Sequence, residues 1–182
     1  MEILIEQIPE DGLELKFEKS VNTFPVLTEM VTNGECDFKI PIRTALRAFR
    51  IGEMVEIEGN VASTVWLPCS RCLKPFETSL NSHFSLTYTR QSAESVEDDE
   101  SREVELNAED MGMIYFQGDK INLIDTIQEQ VLLELPFRIL CKHDCKGLCP
   151  NCGADLNKAP CDCNPKPSTG KFDVLKNLKI EN

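Results

Sequence analysis

The sequence predicts an α+β protein: an antiparallel β-sheet meander covered by one or two helices, followed by a cysteine-rich C-terminal segment. Three observations support this fold class. Apolar residues recur at every second position over a long central stretch, one segment with helical spacing follows it, and eight of the nine cysteines fall in four close pairs. With 182 residues, 41% of them hydrophobic, the chain is long enough for one domain with its own core.

The first 35 residues show only weak alternation. Apolar residues two apart at 3–5 and 13–17 predict two short strands, with a turn at residues 9–12 between them. Phe24-Pro25 indicates a loop, and Asn33-Gly34 is a typical hairpin signal. The sequence therefore predicts two short strands and turns in this region.

From residue 38 to residue 88 the alternation is strong and predicts three long antiparallel strands with one dry face. Pro41 near the start suggests an edge position for the first of them. Arg43, Arg47 and Arg50 leave their own stretch ambiguous, because a helix places all three on one face and a strand places Arg50 opposite the other two. We interpret these arginines as ordinary surface charge. The inward-facing residues are Phe38, Ile40, Ile42, Val55, Ile57, Val61, Val65, Leu67, Phe76, Thr78, Leu80, Phe84, Leu86 and Tyr88.

Residues 91–110 carry most of the acidity, with nine acidic residues against one arginine. Their low apolar content predicts a mobile, solvated loop. In residues 111–140, the turn signal at Gly118-Asp119 predicts a small hairpin, and apolar residues at helical spacing after it predict a helix that covers the sheet. Asn122 is its expected N-cap, accepting from the amide of Asp125, and Pro136 ends it. The expected units are a β domain (1–90), the acidic loop (91–110), the hairpin and helix (111–140) and the cysteine cluster with its tail (141–182).

The chemistry of the cysteines depends on the compartment. The N-terminus has no basic n-region, apolar h-region or small-residue cleavage site, so we expect a cytoplasmic protein. No apolar run approaches the eighteen residues of a membrane span. In a reducing compartment, closely spaced cysteines are typical of structural zinc sites, where thiolates bind the ion, and not of disulfides.

Four local cysteine pairs allow two complete Cys₄ zinc sites. Cys69-x-x-Cys72 lies in a predicted turn between strands, and Cys149-Pro-Asn-Cys152-Gly has the form of a zinc knuckle. We prefer a first site that ties the tail to the sheet and a second that is local to the tail. The preferred first site is Cys69, Cys72, Cys141 and Cys145, and the preferred second site is Cys149, Cys152, Cys161 and Cys163.

Two alternatives remain open from the residues alone. The first is a single site made of Cys145, Cys149, Cys152 and Cys161, with the remaining cysteines as free thiols. The second is thiol–disulfide chemistry, which normally requires a Cys-x-x-Cys that begins a helix. His83 is expected to be exposed on a strand, His143 keeps a minor place as a substitute ligand, and Cys36 is interpreted as a small buried residue.

Charge and motifs narrow the class of function. A net charge of −12 argues against broad phosphate binding, although residues 138–182 hold eight basic against five acidic residues. A Cys₄ zinc centre carries a charge of about −2, which offsets most of that surplus. Saturated Cys₄ sites leave no position for a substrate, and the sequence contains no nucleophile elbow or phosphate-binding glycine loop. We therefore expect a protein that is not an enzyme and has no small-molecule substrate.

Taken together, the Cys69-Ser-Arg-Cys-Leu segment, the helix ending at Leu135-Pro136 and the run Cys-Lys-Gly-Leu-Cys-Pro-x-Cys-Gly-x-x-Leu-Asn resemble the YceD family of bacteria and chloroplasts. This family is called large ribosomal RNA subunit accumulation proteins, and the likeness covers roughly residues 36–182. It implies a cytoplasmic, non-enzymatic role in accumulation or processing of 23S rRNA. The family often ends in a more basic tail, whereas residues 171–179 here carry apolar residues at helical spacing.

Three hypotheses follow. A zinc-stabilised ribosome-assembly factor would bind precursor rRNA or a ribosomal or assembly protein. A protein–protein adaptor without RNA contact would agree with the acidic composition. A thiol–disulfide redox protein would use the Cys-x-x-Cys pairs with reducible disulfides.

Overall fold

The computed structural model describes residues 1–90 and 112–163. These residues form two α-helices, α1 (Pro25–Thr32) and α2 (Leu123–Glu134), and eight strands. The fold is therefore mixed α+β, as the sequence predicts. The strands are β1 (Glu2–Leu4), β2 (Leu13–Lys19), β3 (Asp37–Phe38), β4 (Ile42–Ile51), β5 (Met54–Pro68), β6 (Pro75–Arg90), β7 (Met113–Phe116) and β8 (Lys120–Asn122).

Six of the strands form one sheet in the order β2-β4-β5-β6-β7, and β3 pairs with β5 beyond the start of β4. Neighbours are antiparallel except for β6 and β7, which run parallel. The ambiguous arginine stretch is strand β4. Arg43 and Arg47 therefore lie on one face of the sheet and Arg50 on the other, and all three are exposed.

One face of β5 supplies much of the core. Its alternate residues from Val55 to Leu67 are at most 4% exposed, apart from Gly59. Gly59 leaves room for the ring of Phe84, its direct partner on β6, which lies over the missing side chain. The period-two pattern of the sequence thus corresponds to a buried face, as expected for a sheet with one dry side.

The N-terminal strand β1 pairs antiparallel with β8, so that Glu2 lies opposite Asn122 and forms an ion pair with Lys120 at 2.9 Å. The expected hairpin around Gly118-Asp119 is wrong, because β7 and β8, the strands on either side of it, do not pair with each other. β7 joins β6 and β8 joins β1. Alternation predicts strands, but it does not specify which strand is the partner.

Helix α1 was not expected from the sequence. Pro25 occupies its first turn, where the missing N–H costs nothing, and Asn33 is its C-cap. Gly34 follows with φ of 75°, the left-handed conformation that commonly ends a helix. The Asn-Gly pair is therefore a helix end and not a hairpin turn. Leu27 in the helix and Phe24 just before it are fully buried.

Helix α2 lies on the dry face of the sheet, against β5 and β6. Asn122 caps it by accepting from the amide of Ile124 at 3.0 Å, one residue earlier than expected, while its Nδ2 donates to Asp125. The apolar face of the helix is buried on the sheet. Its buried apolar residues are Leu123, Ile127 and Val131.

Buried polar contacts fix the position of α2. The Tyr88 hydroxyl lies 2.6 Å from Thr126 Oγ1, and Ser82 Oγ donates to Gln130 at 3.2 Å. Neither contact is exposed to solvent, so each is stronger than the same contact in water. Within the described ranges, neither helix is long and apolar enough to cross a bilayer.

The expected acidic loop at 91–110 lies outside the described residues, and so does the C-terminal segment 164–182 with its apolar residues at 171–179.

Candidate metal centre

Four cysteines from two distant parts of the chain form the first cluster. The Sγ atoms of Cys69, Cys72, Cys141 and Cys145 all lie within 4.8 Å of one another. Cys69 and Cys145 are 3.8 Å apart at sulfur, and Cys72 and Cys141 are 3.7 Å apart. Tetrahedral zinc with Zn–S bonds of about 2.3 Å requires S···S distances of about 3.8 Å. Both of these S···S distances in the first cluster therefore match the spacing of a tetrahedral zinc site.

The connection between β5 and β6 presents the first two sulfurs. Cys69 N donates to Lys74 O at 2.9 Å, and Leu73 N donates back to Cys69 O at 2.9 Å. Leu73 closes this turn with φ of 59°, an uncommon conformation for a residue with a branched side chain. The tight turn brings the Cys69 and Cys72 thiols together at the end of two long strands.

The C-terminal segment lies against this turn through three hydrogen bonds. Ser70 N donates to Ile139 O at 2.8 Å, Leu148 N donates to Arg71 O at 3.1 Å, and Arg71 Nη1 donates to Cys145 O at 2.7 Å. Gly147 makes the approach possible, because a Cβ there would lie 2.9 Å from Arg71 O. The first cluster thus joins the C-terminal segment to the sheet.

The second cluster is built within the C-terminal segment itself. The sulfurs of Cys149, Cys152, Cys161 and Cys163 also lie within 4.8 Å of one another. Gly153 N donates to Cys149 O at 2.8 Å, which closes the turn between the first two of these cysteines. Cys152 is exposed, whereas in the first cluster only Cys141 is more than 5% exposed. The second cluster is therefore the more accessible of the two.

The thiols within each cluster differ in how readily they ionise. Burial disfavours the Cys69 thiolate, but hydrogen bonds from the backbone of Cys141, Cys72 and Arg71 outweigh it and lower the pKa of Cys69 to about 6. Burial, followed by the neighbouring sulfurs, raises the pKa of Cys141 to about 12. A bound dication would remove this conflict, because it stabilises all four thiolates together.

The second cluster shows the same division. Backbone hydrogen bonds from Cys152 and Asn151 lower the pKa of Cys149 to about 6. The hydrogen bond to Cys152, followed by burial, raises the pKa of Cys163 to about 12. One thiol in each cluster thus ionises readily and another resists ionisation.

The structure brings the eight cysteines together in the same two groups that the sequence analysis preferred. The single-site alternative is not formed, because Cys145 lies with Cys69 and the other three of its members lie in the second cluster. The Cys-x-x-Cys pairs lie in turns and begin no helix, which removes the context expected of a thioredoxin-like redox pair.

The remaining candidates lie elsewhere. His83 is exposed on β6 beside Asn60, and His143 belongs to neither cluster within the described ranges. Cys36 is buried, and its pKa is raised to about 11 by burial, followed by the charges of Glu35 and Asp37. Cys36 is therefore a core residue, as expected.

Sequence reasoning missed the residues that join the clusters to the sheet. Arg71 donates to the backbone of Cys145, and Lys74 forms an ion pair with Asp155, which lies between Cys152 and Cys161 in the chain. The sequence offered one indication that Arg71 and Lys74 take part, namely that they lie inside and just after Cys69-x-x-Cys72. The spacing of the cysteines does not indicate which neighbouring arginine or lysine side chain contacts a distant segment of the chain.

A family model described as "Large ribosomal RNA subunit accumulation protein YceD" matches residues 57–179. An Arabidopsis thaliana protein, "Large ribosomal RNA subunit accumulation protein YCED homolog 1, chloroplastic", is 27% identical over 156 residues, covering 76% of this chain and 49% of the relative. An uncharacterized protein of Mycobacterium tuberculosis is 33% identical over 115 residues, covering 63% and 51%. The uncharacterized Bacillus subtilis protein YlbN is 28% identical over 156 residues, covering 83% and 78%.

The chain spans about half the length of the Arabidopsis and mycobacterial relatives. No solved structure matches it at a significant level. The family model covers well over half of the chain, including all eight clustered cysteines. The protein belongs to the YceD family of large ribosomal RNA subunit accumulation proteins.

Proposed function

We propose that this protein is a non-enzymatic ribosome-biogenesis factor that supports accumulation or processing of the 23S rRNA of the large subunit. The observation that carries the proposal is the family match over residues 57–179, which includes both cysteine clusters. The description of the family and of its chloroplast relative names large ribosomal RNA subunit accumulation. We extend that role to this chain and place it in the cytoplasm.

We propose further that each cluster holds one structural zinc ion. Four thiolates are the ligand set that a closed structural zinc site uses, and soft sulfur ligands favour zinc over hard cations. The sulfur spacing of 3.7 and 3.8 Å in the first cluster supports a tetrahedral ion. With all four positions taken by protein, such an ion binds no substrate, so its contribution is to stabilise the fold.

The proposed partner is rRNA or a ribosomal or assembly protein. A net charge of −12 opposes a broad electrostatic grip on phosphates, so recognition of RNA would depend on a local surface. The same acidity supports a second candidate, an adaptor that contacts only proteins, because basic ribosomal proteins are complementary to it. Ultraviolet crosslinking with sequencing of bound RNA separates the two, since the adaptor yields no crosslinked RNA.

Depletion of the protein in cells tests the proposed function. We expect 23S rRNA to fall relative to 16S rRNA, because large-subunit assembly is the step that fails. Cells complemented with Cys69→Ser should retain the defect, whereas cells complemented with Cys36→Ala should recover, since Cys36 belongs to neither cluster. An unchanged rRNA ratio after depletion would contradict the proposed function.

A further inference from the structure

One side chain of the second cluster's loop reaches the first cluster. Asn157 lies between Cys152 and Cys161 in the chain, but its Nδ2 lies 3.5 Å from the sulfur of Cys145. This separation is within hydrogen-bonding distance of sulfur, which is larger than oxygen and a weaker acceptor. The loop between Cys152 and Cys161 of the second cluster therefore contacts a sulfur of the first cluster.

The orientation of the Asn157 amide is set by its other partners. Its Oδ1 accepts a hydrogen bond from Lys146 N at 2.9 Å, so Nδ2 is the atom that faces the sulfur. Both Nδ2 and the backbone N of Asn157 donate to Asp155 Oδ1 at 3.0 Å. Asp155 in turn forms an ion pair with Lys74 beside the first cluster. Three hydrogen bonds therefore hold Asn157 with its Nδ2 towards the sulfur of Cys145.

A short two-stranded ladder connects Asn157 to the second cluster. Leu148 forms a β-bridge with Asp155, and Leu156 N donates to Gly147 O at 3.0 Å. Cys149 N donates to Ala154 O at 2.8 Å at the closed end of the ladder. Cys149 and Cys152 lie at that end, and Asn157 lies at the open end. An ion that fixes the second cluster would consequently fix the ladder and its amide.

We propose that Asn157 is a positioning residue that couples the two metal sites, by donating to the Cys145 thiolate from a loop that the second site holds in place. The inference rests on the proposed zinc sites. A donor to a metal-bound thiolate reduces the excess negative charge of a Cys₄ centre and orients the ligand. Loading the second cluster therefore raises the affinity of the first.

Asn157→Asp tests the coupling, because it keeps the shape and the acceptor for Lys146 N but replaces the donor with a carboxylate oxygen. That oxygen repels Asp155 as well as the Cys145 thiolate, so Asn157→Ala, which adds no charge, is measured beside it. Loss of such an outer contact typically lowers metal affinity about 10–100-fold. The full chain, loaded with zinc, is challenged with a chelator, and cysteine alkylation read by mass spectrometry shows which cluster opens. We expect Cys69 and Cys145 to lose protection at about 10–100-fold lower chelator concentration than in the natural chain. Asn60→Asp, on the exposed sheet face, is the matched control.

A double-variant cycle separates coupling from local structure. Cys161→Ser should also weaken the first cluster, but it should add nothing in an Asn157→Ala background, because the contact is already lost. Cobalt(II) in place of zinc supplies a second readout, since loss of the donor shifts the sulfur-to-cobalt charge-transfer band. Protection of Cys145 equal to that of the Asn60→Asp control would overturn the coupling. A natural chain that binds no zinc at all would instead refute the proposed metal sites.

Discussion

Gly59→Ala probes how the dry face of the sheet is packed. Gly59 lies in β5 between Leu46 of β4 and Phe84 of β6, its direct partners in register. A methyl group at this position would lie 2.6 Å from Phe84 Cζ and 3.1 Å from Leu46 Cβ. Ordinary contact begins near 3.4 Å, so the ring has to withdraw by about 1 Å within a packed core.

The expected loss follows from two opposing effects. Overpacking a core costs about 1–3 kcal/mol, while replacing glycine by alanine returns about 0.4–1 kcal/mol through the lower entropy of the unfolded chain. We therefore expect Gly59→Ala to reduce the free energy of unfolding by about 1–2 kcal/mol. Urea denaturation at saturating zinc measures the change, provided that the slope with urea stays constant.

The matched background for this experiment is Phe84→Leu, which removes the ring that the new methyl would meet. In that background only the 3.1 Å approach to Leu46 Cβ remains, so Gly59→Ala should cost clearly less than it does in the natural chain. If Gly59→Ala costs the same in both backgrounds, the ring of Phe84 is not what excludes the side chain, and the packing described for this face is wrong.

Two further predictions concern the helix and the thiols. Tyr88→Phe removes a buried hydroxyl 2.6 Å from Thr126 Oγ1 and should lower the free energy of unfolding by about 1–2 kcal/mol. The double variant Tyr88→Phe with Thr126→Val should cost less than the sum of the two single variants. Strictly additive costs would contradict the hydrogen bond between the two side chains. The pKa values of Cys69 and Cys149 are lowered to about 6, so both thiolates persist above that pH and are lost as the pH falls through it. Zinc binding should therefore release about one more proton per cluster at pH 5 than at pH 8, because the thiol that is ionised at pH 8 is protonated at pH 5. Calorimetry in buffers of different ionisation enthalpy measures the number of protons released. The same number at both pH values would refute the lowered pKa of Cys69 and Cys149.

The sequence predicted those parts of the fold that depend on local pattern. The buried face of β5 follows from alternation, and the start of α2 at Asn122 follows from capping chemistry, although the cap bonds the amide one residue earlier than expected. Helix α1 was missed because its end, Asn33-Gly34, is also a common hairpin signal. The left-handed glycine is shared by both structures, so the dipeptide alone does not distinguish them.

Long-range contacts were only partly predictable. The grouping of the cysteines was accessible because local pairs must combine in fours to complete a zinc site. The pairing of β1 with β8 was not, since it joins residues more than one hundred positions apart. The contact of Asn157 with Cys145 could not be predicted either, because the sequence does not show whether an asparagine between two cysteines turns its side chain towards a sulfur.

The number of zinc ions per chain tests the central claim most directly. Native mass spectrometry at saturating zinc should find two ions in the natural chain and one each in Cys69→Ser and Cys161→Ser, because each variant breaks a different cluster. Alkylation should then show which cluster has opened in each variant. A single ion in the natural chain, or loss of both ions from either variant, would contradict the two-site account.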